Sequence, residues 1–206
     1  MELPDTSPLP EGAHIVQLFD TADSLANALA TFLCDGWAAG DWMLVLVRMR
    51  NWSLVSRRLR RRGFPIEIAE EQGRLIVLDA ELTRAAIMHK EQPDREWFSN
   101  TIGRLVGRLW SASAGRLRIY GELVELLAEE GNFDAACRLE ALWEELRPQY
   151  PFTLLCGYSA AHFADEANAG VLRRICQYHT EVRCQPADIL GRWLLRNDRA
   201  QRDADG

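Results

Sequence analysis

A chain of 206 residues with 48% hydrophobic and 26% charged side chains has the balance of a globular protein and is long enough to bury one sizeable core. Its net charge of -6 excludes a chain-wide nucleic-acid surface, which needs clustered Lys and Arg. The longest strongly apolar run, Trp42 to Val47, falls far short of the roughly 20 residues that span a bilayer.

Residues 1–12 are acidic and carry three prolines, with neither a basic start nor an apolar stretch, so they read as a disordered lead and not as a signal peptide. His14 to Phe19 (HIVQLF) predicts a first strand. Thr21 to Cys34 predicts a helix with Leu25, Leu29, Phe32 and Leu33 on one face, capped by Asp20 or Thr21 and stopped at Asp35-Gly36. The unbroken Trp42 to Val47 run predicts a strand covered on both faces. A helix over Asn51 to Arg62 follows, ended by Gly63, and then a third buried strand at Leu75 to Leu78.

Pro93-Asp94 opens a long helix whose apolar stripe includes Trp97, Phe98, Ile102, Leu105, Val106, Leu109 and Trp110. Leu117 to Tyr120 predicts a fourth strand, and Glu122 to Glu130 a helix terminated by Gly131. Asn132 caps a helix burying Phe133, Ala136, Leu139, Trp143 and Leu146. Phe152 to Tyr158 predicts a fifth strand, and Asp165 to Tyr178 a further helix. Five strands alternating with helices imply a three-layer α/β fold, with a mainly parallel five-stranded sheet flanked by helices. The expected organisation is a lead over 1–12, one domain over 13–184, and over 185–206 an amphipathic helix (Pro186 to Arg196) with a disordered tail.

In an open parallel sheet, ligands bind at the C-terminal strand ends. A nucleotide-hydrolysing version places GxxxxGK[ST] after its first strand, where backbone N–H groups wrap the phosphates and the Lys neutralises charge. Here the connection is Asp20-Thr21-Ala22-Asp23-Ser24, with no Gly, no Lys and two carboxylates that repel phosphate. The site is a degenerate phosphate loop, and no cofactor is expected.

The surrounding segments carry a resemblance. Gly36-Trp37-Ala38-Ala39-Gly40-Asp41 followed by MLVLV resembles the turn and second strand of the RecA and KaiC family of ATPases. More specific are Tyr120-Gly121-Glu122-Leu123-Val124, Glu130-Gly131-Asn132, the stretch Arg138 to Leu146, and Phe152 to Tyr158. With His14 to Phe19, Leu75 to Ala80, Pro93-Asp94 and His179, these are similar to the MEDS family, the sensory domain named for methanogens, methylotrophs and a dichloromethane-responsive regulator. The resemblance runs from about His14 to His179. It implies a KaiC-like fold without a working ATP site, used as a sensory input module in bacterial and archaeal signalling. His89-Lys90-Glu91-Gln92 departs from the family, where a glycine is expected. The sequence carries no kinase or DNA-binding segment, so output is expected to pass through a protein partner.

The expected ligand pocket is bounded by Phe19, Asp20, Arg48, Asp79, Glu122 and Tyr158, all placed at strand ends by the topology. Glu122 reads either as a polar group facing that pocket or as a first-turn Glu favoured by the helix dipole. Tyr158, with Cys156 on the same face, reads as a pocket wall or as core. His14 and His179 read as ligand or pH-sensitive contacts, or as structural histidines. Cys176, His179 and Cys184 give C-x2-H-x4-C, which lacks a fourth ligand, so no metal is expected. Arg57, Arg58, Arg60, Arg61 and Arg62 form a basic block without the aromatic residues that stack bases. The five cysteines are odd in number, include no CxxC, and read as reduced thiols of a cytoplasmic protein. No catalytic set can be assigned. A non-catalytic sensory module with a small-molecule ligand and a protein signalling partner is expected. Homo-oligomerisation is open, and neither membrane nor nucleic acid is expected as a partner. The alternatives are an enzyme in the same strand-end pocket and a pure protein-interaction domain.

Overall fold

The computed structural model describes residues 12–165 and 168–184. The strands are β1 (His14–Phe19), β2 (Trp42–Val47), β3 (Leu75–Asp79), β6 (Leu117–Gly121), β7 (Thr153–Ser159) and β8 (Glu181–Cys184), and between β3 and β6 lies a two-residue hairpin of β4 (Met88–His89) and β5 (Gln92–Pro93). The main sheet has the order β3-β2-β6-β7-β1-β8, and every neighbouring pair in it is parallel.

The main sheet thus has six strands where the sequence predicts five. The added strand, β8, is a four-residue edge piece of half-buried residues, too short and too polar to show as an apolar run. β3 is the opposite edge and is only partly covered, not a fully buried strand.

Side chains alternate across the sheet, and each face has its own core. Val16, Leu18, Leu44, Leu46, Ile119 and Leu154 face one layer of helices. Those helices are α4 (Ala80–Ile87), α5 (Arg95–Phe98) continuing into α6 (Arg104–Ala112), α7 (Leu123–Glu129), α8 (Phe133–Leu146) and α9 (Ala169–Cys176). Trp143 of α8 is fully buried there, edge-on to Phe98 at 5.1 Å and Phe152 at 5.8 Å. Ile15, Met43, Val45, Val47, Tyr120 and Leu155 face the other layer, formed by α1 (Ala22–Ala39), α2 (Met49–Arg61) and α3 (Ile66–Glu71).

Local chemistry sets most helix ends. Thr21 and Ser24 cap α1 reciprocally, Asn132 caps α8 through Ala135 N, and Asp94 caps α5 through Trp97 N. α1 does not stop at Asp35-Gly36. It runs on to Ala39 and ends at Gly40, whose φ of 84° is left-handed. Gly36 sits inside the helix because a Cβ there would lie 2.9 Å from Arg118 Cδ. The helix after Asp94 passes through a π-helical turn at Ser99–Gly103, and Trp97 lies outside its buried stripe, 45% exposed. α9 begins at Ala169, later than predicted, and a 3-10 turn at Ala160–Phe163 precedes it. The predicted helix at Pro186 to Arg196 lies outside the described residues.

Gly157 marks the tightest packing of a central strand. A Cβ there would stand 2.8 Å from the buried Tyr120 hydroxyl and 3.4 Å from Leu25. Gly157→Ala is therefore expected to cost about 1–3 kcal/mol by overpacking. Urea denaturation monitored by circular dichroism would show a lowered midpoint with an unchanged slope; an unchanged midpoint would mean that Tyr120 moves aside freely.

Candidate functional site

β2 leads through α2 to β3 on one side of the sheet, and β6 leads through α7 to β7 on the other. α2 lies on one face and α7 on the opposite face, although β2 and β6 are neighbours. The reversal of strand order between β2 and β6 is the topological switch point, where an open α/β sheet forms its binding crevice.

Two of the six expected residues meet at that point. Arg48 follows β2 and is 4% exposed, and Glu122 follows β6 and is fully buried. The Arg48 backbone N–H donates to Glu122 Oε2 at 2.7 Å, and Asn51 of α2 donates its amide to Glu122 Oε1. The Arg48 guanidinium pairs with Glu129 of α7. Arg48 Nε is buried with no hydrogen-bond partner among the described residues, and so is the Tyr120 hydroxyl, which lies against Gly157 of β7. Next to this group, Glu125 accepts from the Ser159 N–H at 2.8 Å and pairs with His162 Nε2 at 3.0 Å.

Glu122 occupies the cap position of α7 but makes no cap bond there; its side chain crosses to the end of β2. Burial raises its carboxyl to about 7, against the opposing pull of the Arg48 N–H, the Asn51 amide and the Arg48 charge. The hydrogen bond to Glu125 raises the His162 imidazole above its ordinary value, with burial opposing. The site therefore holds one carboxyl that titrates near neutral pH, Glu122, and one imidazole, His162, whose charged form is favoured by Glu125.

The other four expected residues do not line this crevice. Asp20 is exposed on its loop, and Asp79 caps α4 by accepting from Glu81 N and Leu82 N. Phe19 packs in the core beside α1, whereas Tyr158 points to the opposite face. Tyr158 is fully buried and donates to Glu140 Oε1 at 2.8 Å, so it is a core residue and not a pocket wall. The error is one of parity: Phe19 pairs with Ser159, one position beyond Tyr158, so the two side chains leave the sheet in opposite directions. A surface depression of about 910 Å³ lies along α6, lined by residues such as Arg104, Gly107 and Tyr150, away from the strand ends.

Sequence reasoning missed Asn51, Glu125, Glu129 and His162 at this site. Glu125 and Glu129 stand one turn apart on α7 amid apolar residues, which was the available signal. It also missed Glu140 and Glu144, likewise one turn apart on α8, which flank His14 under the sheet. His14 Nε2 lies 3.2 Å from Glu140 Oε2, and His14 Nδ1 lies 2.7 Å from Glu144 Oε1. Burial opposes charge on His14, but the bonds to Glu140 and Glu144 outweigh it and raise the imidazole to about 9. The arginine block is a surface face tied to local partners: Arg58 to Asp23 and Asn27, Arg60 to Glu67, and Arg62 to Thr31.

These features define an α/β domain of the RecA/KaiC-like class. The chain belongs to the MEDS family, described as the methanogen/methylotroph, DcmR sensory domain, whose profile matches residues 13–180. Among solved structures it is similar to the flagellar accessory protein FlaH from Methanocaldococcus jannaschii, with a TM-score of 0.54 and 10% identity over 87% of this chain and 73% of that one. It is also similar to a KaiC-like protein from Pyrococcus horikoshii OT3, with a TM-score of 0.48 and 15% identity over 73% of this chain. The chain spans about three fifths, 62%, of the length of that KaiC-like protein. No curated protein sequence matches the chain. Among the described residues, no helix is long and apolar enough to cross a membrane.

Glu122 generates a pH prediction. Its carboxyl is raised from 4.5 to about 7 in the folded state, so the folded protein binds more protons than the unfolded chain between those values. The stability contribution is fully present below pH 4.5, falls as pH rises, and is gone above about pH 7. The linkage amounts to about 3 kcal/mol. Glu122→Gln removes this slope, so the difference in unfolding free energy between wild type and variant should change across that window. Parallel stability curves from pH 4 to pH 8, read by urea denaturation, would show that Glu122 ionises in the folded state as it does in water.

Proposed function

We propose that this domain is a non-catalytic sensory and regulatory module of signal transduction in the cytoplasm. It binds a small ligand or a protein partner at the β2/β6 switch point and passes on a change of shape. Family membership supports the sensory role, and the β2/β6 switch point is the place where open α/β sheets form binding crevices.

One observation carries the non-catalytic part of the reading. At the position of a phosphate loop, the N-terminus of α1 is closed by its own side chains: Thr21 Oγ1 accepts from Ser24 N at 3.1 Å, and Ser24 Oγ accepts from Thr21 N at 3.1 Å. Asp20 and Asp23 add negative charge beside it. An anion arriving there meets carboxylates and an N–H already bonded, the reverse of a phosphate cradle. At the switch point, the buried Arg48 Nε supplies hydrogen-bonding capacity that a ligand or a docking partner satisfies when the Arg48–Glu129 pair opens. A second reading, an enzyme at the same place, is favoured by Glu122, whose carboxyl titrates near neutrality as a general acid or base would.

Titration calorimetry with Mg-ATP is expected to give no saturable heat in the micromolar range. Micromolar binding, or turnover lost on changing Glu122, would replace the sensory reading by the enzymatic one. Native mass spectrometry of the purified chain is the companion measurement, because it reports a co-purified ligand and the subunit count together.

A further inference from the structure

Under the sheet, on the face opposite α1 and α2, four side chains from four separate segments converge. His14 opens β1, Cys156 lies in the middle of β7, Glu140 comes from α8, and His179 precedes β8. One donor atom from each lies within 4.8 Å of the others. The His14, Glu140 and His179 side chains are wholly buried, and so is Cys156.

We infer that His14, Glu140, Cys156 and His179 form a closed binding site for one divalent transition-metal ion of the zinc type.

The first support is the spacing of the donors. Zinc bonds of about 2.0–2.3 Å directed to the corners of a tetrahedron place neighbouring N, O and S donors about 3.3–3.6 Å apart. His14 Nε2 lies 3.2 Å from Glu140 Oε2 and 3.4 Å from Cys156 Sγ, and Cys156 Sγ lies 3.5 Å from Glu140 Oε2. These three distances are the edges of one tetrahedral face. His179 Nε2 lies 3.5 Å from the other Glu140 oxygen, and with all four donors within 4.8 Å of one another a small inward turn of this ring would bring it to the fourth corner.

The second support is the outer shell. A ligating imidazole is held by its remote nitrogen on a carboxylate or a carbonyl. His14 Nδ1 is bonded to Glu144 Oε1 at 2.7 Å, and Glu144 is itself bonded by Arg147. His179 Nδ1 donates to the Ile175 carbonyl at 2.8 Å. Both rings are thus fixed with Nε2 turned inward. His179 Nε2 is buried with no hydrogen-bond partner among the described residues, which is costly for an imidazole nitrogen unless something occupies its lone pair.

The ligand types also fit. Two imidazoles, a thiolate and a carboxylate are a mixed set that suits zinc better than magnesium or calcium, which prefer all-oxygen shells. The two rings lie with centroids 4.0 Å apart and planes tilted by 40°, both with Nε2 turned toward Glu140. Loading the ion releases the proton from His14 Nε2 and the proton from Cys156 Sγ, and leaves a neutral site of one metal dication, one thiolate and one carboxylate. No spacing motif reveals this set, because its members come from distant segments; Cys176 and Cys184 of the C-x2-H-x4-C spacing are not in it.

The test is cobalt substitution in the purified full chain, prepared without a histidine tag. Wild type is expected to take up one Co²⁺ per chain, with intense visible ligand-field bands of a tetrahedral ion and a near-ultraviolet thiolate charge-transfer band. Cys156→Ser should abolish the charge-transfer band, whereas Cys176→Ser should keep it. Glu144→Gln should weaken metal affinity by about 10–100-fold through the outer shell. Should the buried variants fail to fold, wild type decides the matter alone, by elemental analysis of the chain purified from zinc-supplemented cells. Less than stoichiometric uptake by wild type, a charge-transfer band that survives Cys156→Ser, or a band lost with Cys176→Ser overturns the inference. Each readout is independent of ligand sensing at the switch point.

Discussion

A parallel sheet covered on both faces has no contact with water, so any polar side chain that leaves its plane must find its partners inside the protein. The long apolar stretches obey this rule by avoiding polarity: β2 is WMLVLV, with five of its six residues buried. Most polar exceptions collect where strands begin or end, Gln17 inside β1 being one that does not. Gln17 is held by the Leu18 and Arg183 carbonyls, Glu122 by the turn into α2, and His14 by two glutamates of α8. Both polar groups described above are products of that constraint. Each is closed by residues from elements far apart in the chain, which makes the groups a gauge of whether the whole sheet has assembled correctly.

The two groups lie on different connections. The Arg48–Glu122 group links α2 and α7 across the switch point, so a disturbance there couples the two helical layers through β2 and β6. The His14 group links β1, β7, α8 and the entry to β8, and lies wholly within one layer. A module that reports binding needs a responsive part and a fixed part. The half-exposed Glu129 partner and the Glu122 carboxyl, raised to about 7, suit the first role; the fully buried His14 group suits the second.

Much of the fold was legible because strongly periodic segments carry their own instructions. Five strands, the parallel arrangement and the caps at Thr21, Asp94 and Asn132 follow from apolar runs and short-range chemistry. β8 was illegible because its few half-buried residues acquire strand character only from pairing with β1. Gly36 misled because a glycine in a helix can mark either a terminus or a close approach, and only Arg118 decides between them. The pocket list failed on parity. Topology says which residues stand at strand ends, but Phe19 and Tyr158 exit opposite faces. Glu122 and Arg48 were found because they directly follow strands that proved to be neighbours. Their partners Asn51, Glu125 and Glu129 sit on helices whose facing sides depend on that neighbourhood, which one sequence does not reveal.

β1 is the first strand to be made, yet it lies between β7 and β8, the last two strands of the sheet. Its pairing at His14 reaches 166 positions along the chain, to Thr180. During synthesis at about 5–20 residues per second, the ribosome takes about ten to thirty seconds to deliver β7 after β1 has emerged. Throughout that interval the apolar HIVQLF segment has neither of its two partner strands to join. The nascent chain therefore passes through a prolonged stage with an unpaired, aggregation-prone strand, during which α1, packed on β1 by adjacency in sequence, is the cover at hand.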